Sequence, residues 1–415
     1  MRNISVNEMM NVNFENLARY CCLAMLACLS FSTAGANLAL VGFMICAIFS
    51  KKWFHDFHLI ASSPVAKASL GCFALLCLST VWADADLVFS LAWISKYKKL
   101  LILPLVMPFF QERKERVIFV KVLFFSLLSG LAVSYSNYFG WTNIGDCAAA
   151  GCSTHSYITL SVLNCLLFVV AIALFSSEVS PRQKFFYCLC TLLSWMNVVF
   201  VLPSRTGQIL FFILLAWLPF SIWGGVSIDA RKKWVGFVIS LLLIGISLAA
   251  LHSMKGSRLI DSIEKIGTHK AEAFKSNNDA VSVDVRFEFY KKAVILIQQK
   301  PLLGWGAGGH EPELLRMSAQ GNTPNEQFKF ANPHNEYLTW TVQAGLLGLS
   351  VFLYWLFVVW RNSMRIVHAD ERMILHGWLL IFTAGSLLNS FLLDFSEGYM
   401  MVLLIAVLTP LRKKV

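Results

Sequence analysis

The sequence predicts an all-α membrane protein that crosses the bilayer about twelve times. Hydrophobic residues occupy 57% of its 415 positions and charged residues only 14%, and the mean hydropathy is +0.63. Soluble domains hold about a quarter charged residues, so this composition favours lipid as the solvent. Each backbone polar group in a bilayer must bond within its own segment, so the repeated apolar runs of about 20 residues are predicted to be helices.

Twelve apolar runs support the predicted number of crossings. They lie at about residues 17–33, 35–50, 66–83, 92–111, 117–138, 155–176, 184–203, 207–224, 234–252, 336–360, 373–393 and 398–411. The first two are short, so a helical hairpin with one uncertain crossing is an alternative there. No basic stretch with a nearby cleavage site precedes them, and no removable signal peptide is expected. The runs predict nine membrane helices in residues 1–252, a large loop at 253–335, and three membrane helices with a basic tail at 336–415.

Basic residues predict which side each loop faces. Lysines and arginines cluster in alternate short connections, as at residues 51–52, 113–116 and 231–233, and again after the last run. Short loops rich in these residues stay in the cytoplasm, so both ends of the chain are predicted there. The loop 253–335 then lies outside the cytoplasm, because a loop beyond about 60 residues crosses largely regardless of its charge. This topology explains much of the net charge of +11, and no continuous basic face or motif predicts a nucleic-acid partner.

The eleven cysteines fall into two groups. Nine lie in apolar runs, where cysteine behaves as a small hydrophobic residue. Cys147 and Cys152 instead lie in a polar stretch of a predicted external loop. A disulfide between these two is expected, because the external compartment is oxidising.

The large loop changes character along its length. Residues 255–284 are polar and charged, and residues 285–298 alternate apolar and polar positions at helical spacing. Residues 300–309 then read Lys-Pro-Leu-Leu-Gly-Trp-Gly-Ala-Gly-Gly. Pro301 is expected to end the helix, and the glycines permit tight turns or the close approach of backbone to a ligand.

His334 is the first candidate for chemistry, because it lies where the large loop meets a membrane helix. The ordinary pKa of histidine is about 6.5, so the neutral ring can accept a proton near neutral pH, as a general base must. A structural histidine that caps the helix is the alternative.

Two arginines share the predicted side of His334. Arg205 lies in a turn between two apolar helices, and Arg286 lies in the amphipathic stretch of the large loop. Planar guanidinium groups suit a phosphate, which they bind with two parallel hydrogen bonds. The alternatives are an interfacial arginine that reaches toward water and a solvated helix face.

Acidic residues offer a different chemistry on the same side. Asp84-Ala-Asp86 has the spacing of a DxD metal motif at an external helix end, which would suit a metal-assisted phosphoryl leaving group. Acidic residues also commonly solvate helix ends, and we expect a structural role for Asp394 and Glu397. An incomplete metal-ligand pattern is formed by His310, Glu311 and Glu313. We expect no resident metal and no cofactor, and the sequence has no nucleotide-binding P-loop or dinucleotide motif.

Several of these features together resemble the O-antigen ligase and polymerase superfamily. They are the long external loop late in a chain of about twelve helices, the glycine-rich residues 300–309 (the glycine turn), Pro333-His-Asn-Glu-Tyr-Leu338 and Gln343-Ala-Gly-Leu-Leu-Gly348. Ser204-Arg-Thr-Gly207 and the segment around Arg286 are similar to the two arginine regions of that superfamily. The likeness extends over the whole topology, and its specific motifs lie between about residues 203 and 348.

The resemblance implies a glycosyltransferase of the bacterial inner membrane that acts on the periplasmic face. The implied donor is a glycan on undecaprenyl diphosphate, and the chain looks most like a ligase, whose acceptor is a sugar of the lipid A core. His334 would deprotonate or orient the acceptor hydroxyl, while Arg205 and Arg286 would hold the diphosphate without a metal, so that direct attack inverts the anomeric centre. Tyr290, four residues after Arg286, would lie on the same helical face and line the site. Membrane lipids would surround it.

Other functions stay open at this point. Within the same superfamily, polymerases extend another carrier-bound glycan, and oligosaccharyltransferases modify protein hydroxyls. A transporter or flippase for a lipid-linked anion is the alternative from another class. Transporters more often place charges and broken helices at the membrane midplane within repeated halves, whereas here polar residues cluster at one external face and no repeat is visible, which favours an enzyme.

Overall fold

Helices form every regular element among the described residues, which confirms the predicted all-α class. The structure is a computed structural model that describes residues 6–145, 151–152, 155–178, 180–223, 230–253, 259–260, 283–321, 327 and 332–411. In chain order the α-helices are α1 Val6–Cys28, α2 Thr33–Ser50, α3 Lys52–His55, α4 Phe57–Ser62, α5 Pro64–Leu78, α6 Leu87–Ser95, α7 Lys99–Val106, α8 Arg113–Tyr138, α9 Tyr157–Ser177, α10 Pro181–Met196, α11 Arg205–Trp223, α12 Ala230–Ser253, α13 Val283–Gln299, α14 His310–Ala319, α15 Glu336–Ser363, α16 Ala369–Gly385 and α17 Phe395–Leu408. Short 3-10 turns extend α5 and α7, and a π-helix extends α10 to Val201.

Length and composition identify many of these helices as membrane-spanning. Within the described residues, seven helices are long and apolar enough to cross a bilayer: Thr33–Ser50, Pro64–Trp82, Arg113–Tyr138, Tyr157–Ser177, Pro181–Val201, Trp234–Ser253 and Glu336–Ser363. Three shorter apolar helices accompany them, at Lys99–Phe110, Arg205–Ser221 and Phe395–Leu408. The chain is therefore a membrane protein, but the predicted number of about twelve crossings is not confirmed.

Two predicted runs differ from the observed helices because the backbone turns inside them. The run predicted at 92–111 is divided, since α6 ends at Ser95 and α7 begins at Lys99. The run predicted at 373–393 ends early, since α16 stops at Gly385 and residues 386–394 form turns. Those turns carry side chains of the candidate site.

Helices α9 and α17 form the centre of the bundle. Most side chains of α9 are buried, and it packs against α8, α10, α11 and α16. Helix α17 is buried from Ser396 to Leu408. The two helices begin at the same end of the molecule, where Ser396 of α17 and His155, just before α9, both bond the Leu29 carbonyl.

Helix α15 is broken in its middle, at Ala344 and Gly345. Gly345 has φ 65° and ψ −160°, which is a conformation that essentially only glycine adopts. Four hydrogen bonds from the glycine turn replace the helical ones lost there. They join the Trp305 N–H to the Val342 carbonyl (2.9 Å), the Gly306 N–H to the Gln343 carbonyl (2.8 Å), the Leu346 N–H to the Pro301 carbonyl (2.8 Å) and the Leu347 N–H to the Leu302 carbonyl (3.3 Å). A membrane helix tolerates a break only where other groups bond its backbone, so residues 301–306 and 342–347 form one unit, the backbone clamp.

The glycines of the backbone clamp permit a close approach of two main chains. A Cβ on Gly345 would lie 2.1 Å from the Leu302 carbonyl oxygen, and a Cβ on Gly304 would lie 2.6 Å from the Gln343 carbonyl carbon. The sequence predicted tight turns or a close approach to a ligand, and the approach that the structure shows is to the backbone of α15.

Replacing Gly345 with alanine should destabilise the protein by roughly 2–4 kcal/mol, because the new Cβ meets the Leu302 carbonyl and disfavours the positive φ. Equilibrium unfolding in mixed micelles measures this loss. Gly71→Ala is the matched control, since Gly71 is at an exposed helical position where a new Cβ has no atom within 4 Å. The control should change stability by no more than about +1 kcal/mol. Equal stability of both variants would contradict a structural role for the clamp.

Candidate functional site

His334 is held in the loop that leads into α15. Its backbone has φ 51°, an uncommon value for a residue other than glycine, and its N–H donates to the Asn332 side-chain oxygen at 2.8 Å. The imidazole ring stacks on Phe289 of α13, with ring centroids 5.6 Å apart. These contacts fix the half-buried ring between α13 and the start of α15.

Two hydrogen bonds connect His334 to Asp394 through Asn389. His334 Nδ1 lies 3.0 Å from Asn389 Oδ1, and Asn389 Nδ2 donates to Asp394 Oδ2 at 2.7 Å. Because the amide nitrogen faces the carboxyl group, the amide oxygen faces the histidine and can only accept, so Nδ1 carries the proton. The lone pair of the neutral ring is therefore on Nε2, which is the nitrogen that can take a proton from a bound hydroxyl group.

The surroundings of His334 favour its neutral form. Burial lowers the pKa of the ring below its ordinary value of 6.5, and the positive charge of Arg286 lowers it further. The hydrogen bond to Asn389 acts in the opposite direction, but the net pKa shift is downward. At neutral pH the ring is thus mainly unprotonated, as a general base requires.

Arg286 and Tyr290 lie on α13 beside His334. The charge of Arg286 lowers the pKa of both His334 and Tyr290, so the three side chains share one region. Burial is the larger effect on Tyr290, and its pKa is raised overall. The Tyr290 hydroxyl donates to the Leu387 carbonyl at 2.9 Å, and the Asn335 amide donates to the same carbonyl at 3.0 Å. Tyr290 thus connects α13 to the turns after α16, and its hydroxyl proton is used in that bond.

Arg205 begins α11 at the same end of the bundle. The preceding residue, Ser204, accepts a hydrogen bond from the Ser161 hydroxyl at 2.7 Å, which fixes the start of α11 against α9. Among the described residues, no hydrogen bond or ion pair joins the half-buried Arg205 to His334. The first turns of α9 lie beside Arg205, because Ser161 of α9 bonds the neighbouring Ser204.

Buried charged side chains contact the turns at residues 386–394. Lys99 is 3% exposed, and its ammonium group donates to the Asp394 carbonyl at 2.7 Å. The buried Glu336 accepts an N–H of the same turns at 2.9 Å, and Glu397 is 1% exposed. Burial raises the pKa of the Asp394 side chain well above its ordinary value, and the neighbouring Glu397 raises it further. One lysine and the loop backbone thus share a site with three carboxyl groups.

Asn389 and Asp394 were not among the functional residues predicted from the sequence. Asn389 was expected within a membrane helix, and Asp394 and Glu397 were expected to be external and to have a structural role. The structure corrects the placement of Asn389, because residues 386–394 are turns. Asp394 bonds Asn389 there, and Glu397 is buried. The available signal was Asn389 itself, since a polar residue inside a predicted membrane helix is costly and is usually functional.

The two aspartates of the predicted DxD metal motif, Asp84 and Asp86, bond protein groups. Asp84 forms an ion pair with Lys300 of the glycine turn, and Asp86 accepts the Phe89 N–H at 2.8 Å as the N-cap of α6. Within the part of the chain that the structure describes, no three His, Cys, Asp or Glu side chains are grouped to hold a metal ion. Asp84 and Asp86 thus stabilise the glycine turn and a helix start.

Cys152 is disulfide-bonded, while the predicted partner, Cys147, lies outside the described residues. The nine cysteines in apolar runs are free, as expected. The Asn137 amide, near the end of α8, donates to the Cys152 carbonyl. The bonded cysteine therefore lies at the end of the bundle where α9 begins.

Residues 188–353 match the family model described as O-antigen ligase. This segment is therefore similar to the O-antigen ligase family. The segment that matches the O-antigen ligase model includes Arg205, Arg286, Tyr290 and His334. An uncharacterized protein of Haemophilus influenzae is 22% identical over 135 residues, which are 32% of this chain and 34% of that relative. The chain thus spans about a third of the length of this curated relative.

Exchanging Asn389 should move the pKa of His334 in a direction set by the new side chain. Asn389→Asp places a carboxylate near Nδ1 and should raise the pKa, whereas Asn389→Ala removes a bond that favours the imidazolium and should lower it. NMR titration of isotope-labelled histidine in micelles measures both shifts. Asn362→Ala, at the far end of α15, should leave the titration unchanged. One common titration curve for all the variants would show that Asn389 does not act on His334.

Proposed function

We propose that this protein is an O-antigen ligase that transfers a glycan from undecaprenyl diphosphate to a sugar hydroxyl of the lipid A core. The observation that carries the proposal is His334, bonded to Asn389 and within the electrostatic reach of Arg286, in a segment that matches the O-antigen ligase model. A glycan transfer of this kind needs a base for the acceptor and a cation for the leaving group. The site supplies both.

The proposed reaction forms one bond and breaks one bond. The acceptor oxygen attacks the anomeric carbon of the donor, and the bond from this carbon to the diphosphate oxygen breaks. Nε2 of His334 accepts the proton of the acceptor hydroxyl, while the electron pair of the broken bond stays on the diphosphate. Attack from the face opposite the leaving group inverts the anomeric centre.

Arginine side chains would stabilise the negative charge that collects on the leaving diphosphate. Arg286 is half-buried, where a charge is screened less than in water, and its planar donors fit two phosphate oxygens. Arg205 begins α11 at the same end of the bundle, beside the start of α9. We therefore assign the diphosphate to the space over the start of α9, between the two arginines. This assignment requires no metal.

We further propose that the chain crosses the bacterial inner membrane about twelve times and that the site faces the periplasm. The seven spanning helices and the three shorter apolar helices support a polytopic chain. The disulfide-bonded Cys152 is at the His334 end of the bundle, and disulfides persist in oxidising compartments such as the periplasm. Arg361, Arg365 and Arg372, at and around the loop between α15 and α16, are at the other end, in agreement with the positive-inside rule.

An alternative from another class, a transporter or flippase of a lipid-linked anion, is less well supported. Broken helices do occur in transporters, and α15 has such a break. Here, however, the glycine turn fills the break with backbone hydrogen bonds. The polar groups around His334 lie at the helix ends. Both observations favour an enzyme.

His334→Ala should reduce turnover by the roughly 10²- to 10⁴-fold typical for the loss of a general base, while donor binding persists. The assay is transfer by purified protein in detergent from a defined undecaprenyl-diphosphate glycan, offered lipid A core, a carrier-linked glycan and a protein acceptor in parallel. Modification of the lipid A core supports the ligase, whereas modification of another acceptor identifies a polymerase or an oligosaccharyltransferase.

His58→Ala, at an exposed position near the other end of the bundle, is the control and should retain wild-type turnover. Loss of donor binding in His334→Ala would place this residue in the anion site. Turnover near that of the wild type would contradict its role as a base.

Arg286→Ala should strongly reduce transfer, and Arg286→Lys should restore only part of it, because lysine lacks the planar pair of donors. The exposed Arg316, which is paired with Glu313, provides the control variant Arg316→Ala, with transfer expected at the wild-type level. A chelator should leave the wild-type rate unchanged. Full activity of the lysine variant would contradict bidentate binding, and loss with EDTA that magnesium restores would contradict the metal-independent reaction.

A further inference from the structure

A cavity of about 650 Å³ opens at the end of the bundle opposite His334. It lies among the last turns of α9, α11 and α15 and the first turns of α8 and α16. One part of its wall is apolar and includes Trp217, Phe220 and Met364, of which Phe220 is 62% and Met364 56% exposed. The other part is polar and includes Arg113 and Arg372. Such a cavity, at the predicted level of the lipid head groups, suits an amphipathic molecule.

Arg372 supplies the net positive charge of this cavity. The other arginine of the wall, Arg113, forms ion pairs with Asp370 and Glu371 of α16. Among the described residues, no carboxylate lies within 4 Å of the half-buried Arg372 guanidinium, whose one hydrogen bond runs to the Ile366 carbonyl at 3.4 Å. Several of its five N–H donors thus remain available to a phosphate.

The start of α16 adds further donors beside Arg372. His368 is the N-cap of this helix, makes no capping hydrogen bond with its side chain and lines the cavity together with Ala369. The first N–H groups of a helix have no partner within it, and the helix dipole favours an anion there. Asp370 of the same turn also lines the cavity, where its charge is paired with Arg113. The arginine and the helix start thus offer an anion site on one wall.

Three serines give the cavity a second wall of the opposite hydrogen-bonding character. Their hydroxyls donate to carbonyls of their own helices: Ser176 to Ile172 (2.9 Å), Ser177 to Leu174 (3.1 Å) and Ser221 to Leu218 (2.8 Å). With the proton used in this way, each oxygen can only accept a further bond. This wall is therefore complementary to a hydroxyl or ammonium donor.

We propose that this cavity binds a glycerophospholipid whose head group carries a free hydroxyl or ammonium. The phosphate binds Arg372 and the start of α16, the head-group donor bonds the serine wall, and an acyl chain follows Phe220 and Met364 to the bilayer. Phosphatidylglycerol and phosphatidylethanolamine have both groups. Phosphatidylcholine has the phosphate but no donor. This site is separate from the transfer reaction proposed for His334.

Native mass spectrometry of the full-length protein in detergent, titrated with these three phospholipids and with soluble glycerol 3-phosphate, tests the proposal. Phosphatidylglycerol and phosphatidylethanolamine should bind more tightly than phosphatidylcholine, and glycerol 3-phosphate should bind far more weakly. Arg372→Gln should weaken phosphatidylglycerol binding by about 10- to 100-fold, the loss expected for hydrogen bonds to a charged group. Arg361→Gln removes the same charge from an exposed residue outside the cavity wall and should bind as the wild type does.

A second variant tests the cavity without removing a charge. Ser176 is exposed at the cavity wall, so Ser176→Trp should fill the space and abolish lipid binding while the fold persists. Wild-type binding in both Arg372→Gln and Ser176→Trp would overturn the site. Equal binding of phosphatidylcholine would overturn the serine wall, and equally tight binding of glycerol 3-phosphate would show that the ligand is a free phosphate compound rather than a lipid.

Discussion

The arrangement of the candidate site depends on the backbone clamp between the glycine turn and α15. A broken helix in lipid would leave several N–H and C=O groups without partners, each at a cost of several kcal/mol, unless another chain segment bonds them. The clamp meets this requirement and at the same time fixes the segment that directly follows α13. An apolar cluster adds to the fixation, because Phe289 and Leu296 of α13 pack with Val342 of α15. Arg286 and Tyr290 are thereby held close to His334.

Buried charges fix the other wall of the site. Removing Lys99 and Glu336 from water costs free energy, which is offset only where each group has close partners. Lys99 meets this condition through two carbonyls of the turns after α16, and Glu336 through a backbone N–H and the Trp340 indole. The turns are therefore held in one conformation. Asn389 can then present its oxygen to Nδ1, which sets the tautomer of His334.

The opposite end of the bundle is organised by ion pairs between α8 and α16. Arg113 and Arg116 both bond Glu371, which is 1% exposed, and Arg113 also pairs with Asp370. These pairs occupy the two carboxylates at the start of α16. Among the described residues, Arg372 therefore has no carboxylate partner. The same network thus ties two helices together, and the net positive charge of the cavity comes from Arg372. The two ends of the protein are suited to different ligands for this reason.

The sequence by itself determined the helical class and the main helices, because apolar runs in lipid have no other way to bond their backbone. The runs predicted at 117–138 and 155–176 correspond to α8 and α9 with small shifts. It also located His334 at a helix start and Arg286 on an amphipathic helix, since both positions follow from local pattern.

Only the tertiary structure decided which groups surround His334. Asn389 is 55 residues away along the chain and lies in turns that interrupt an apolar run, so neither hydropathy nor spacing predicts the contact. The purpose of the glycines at 304 and 306 was likewise hidden, because hydrogen bonds between the glycine turn and a distant helix leave no local pattern in the sequence. Local periodicity records how a segment bonds itself, whereas contacts between segments depend on how the whole chain packs.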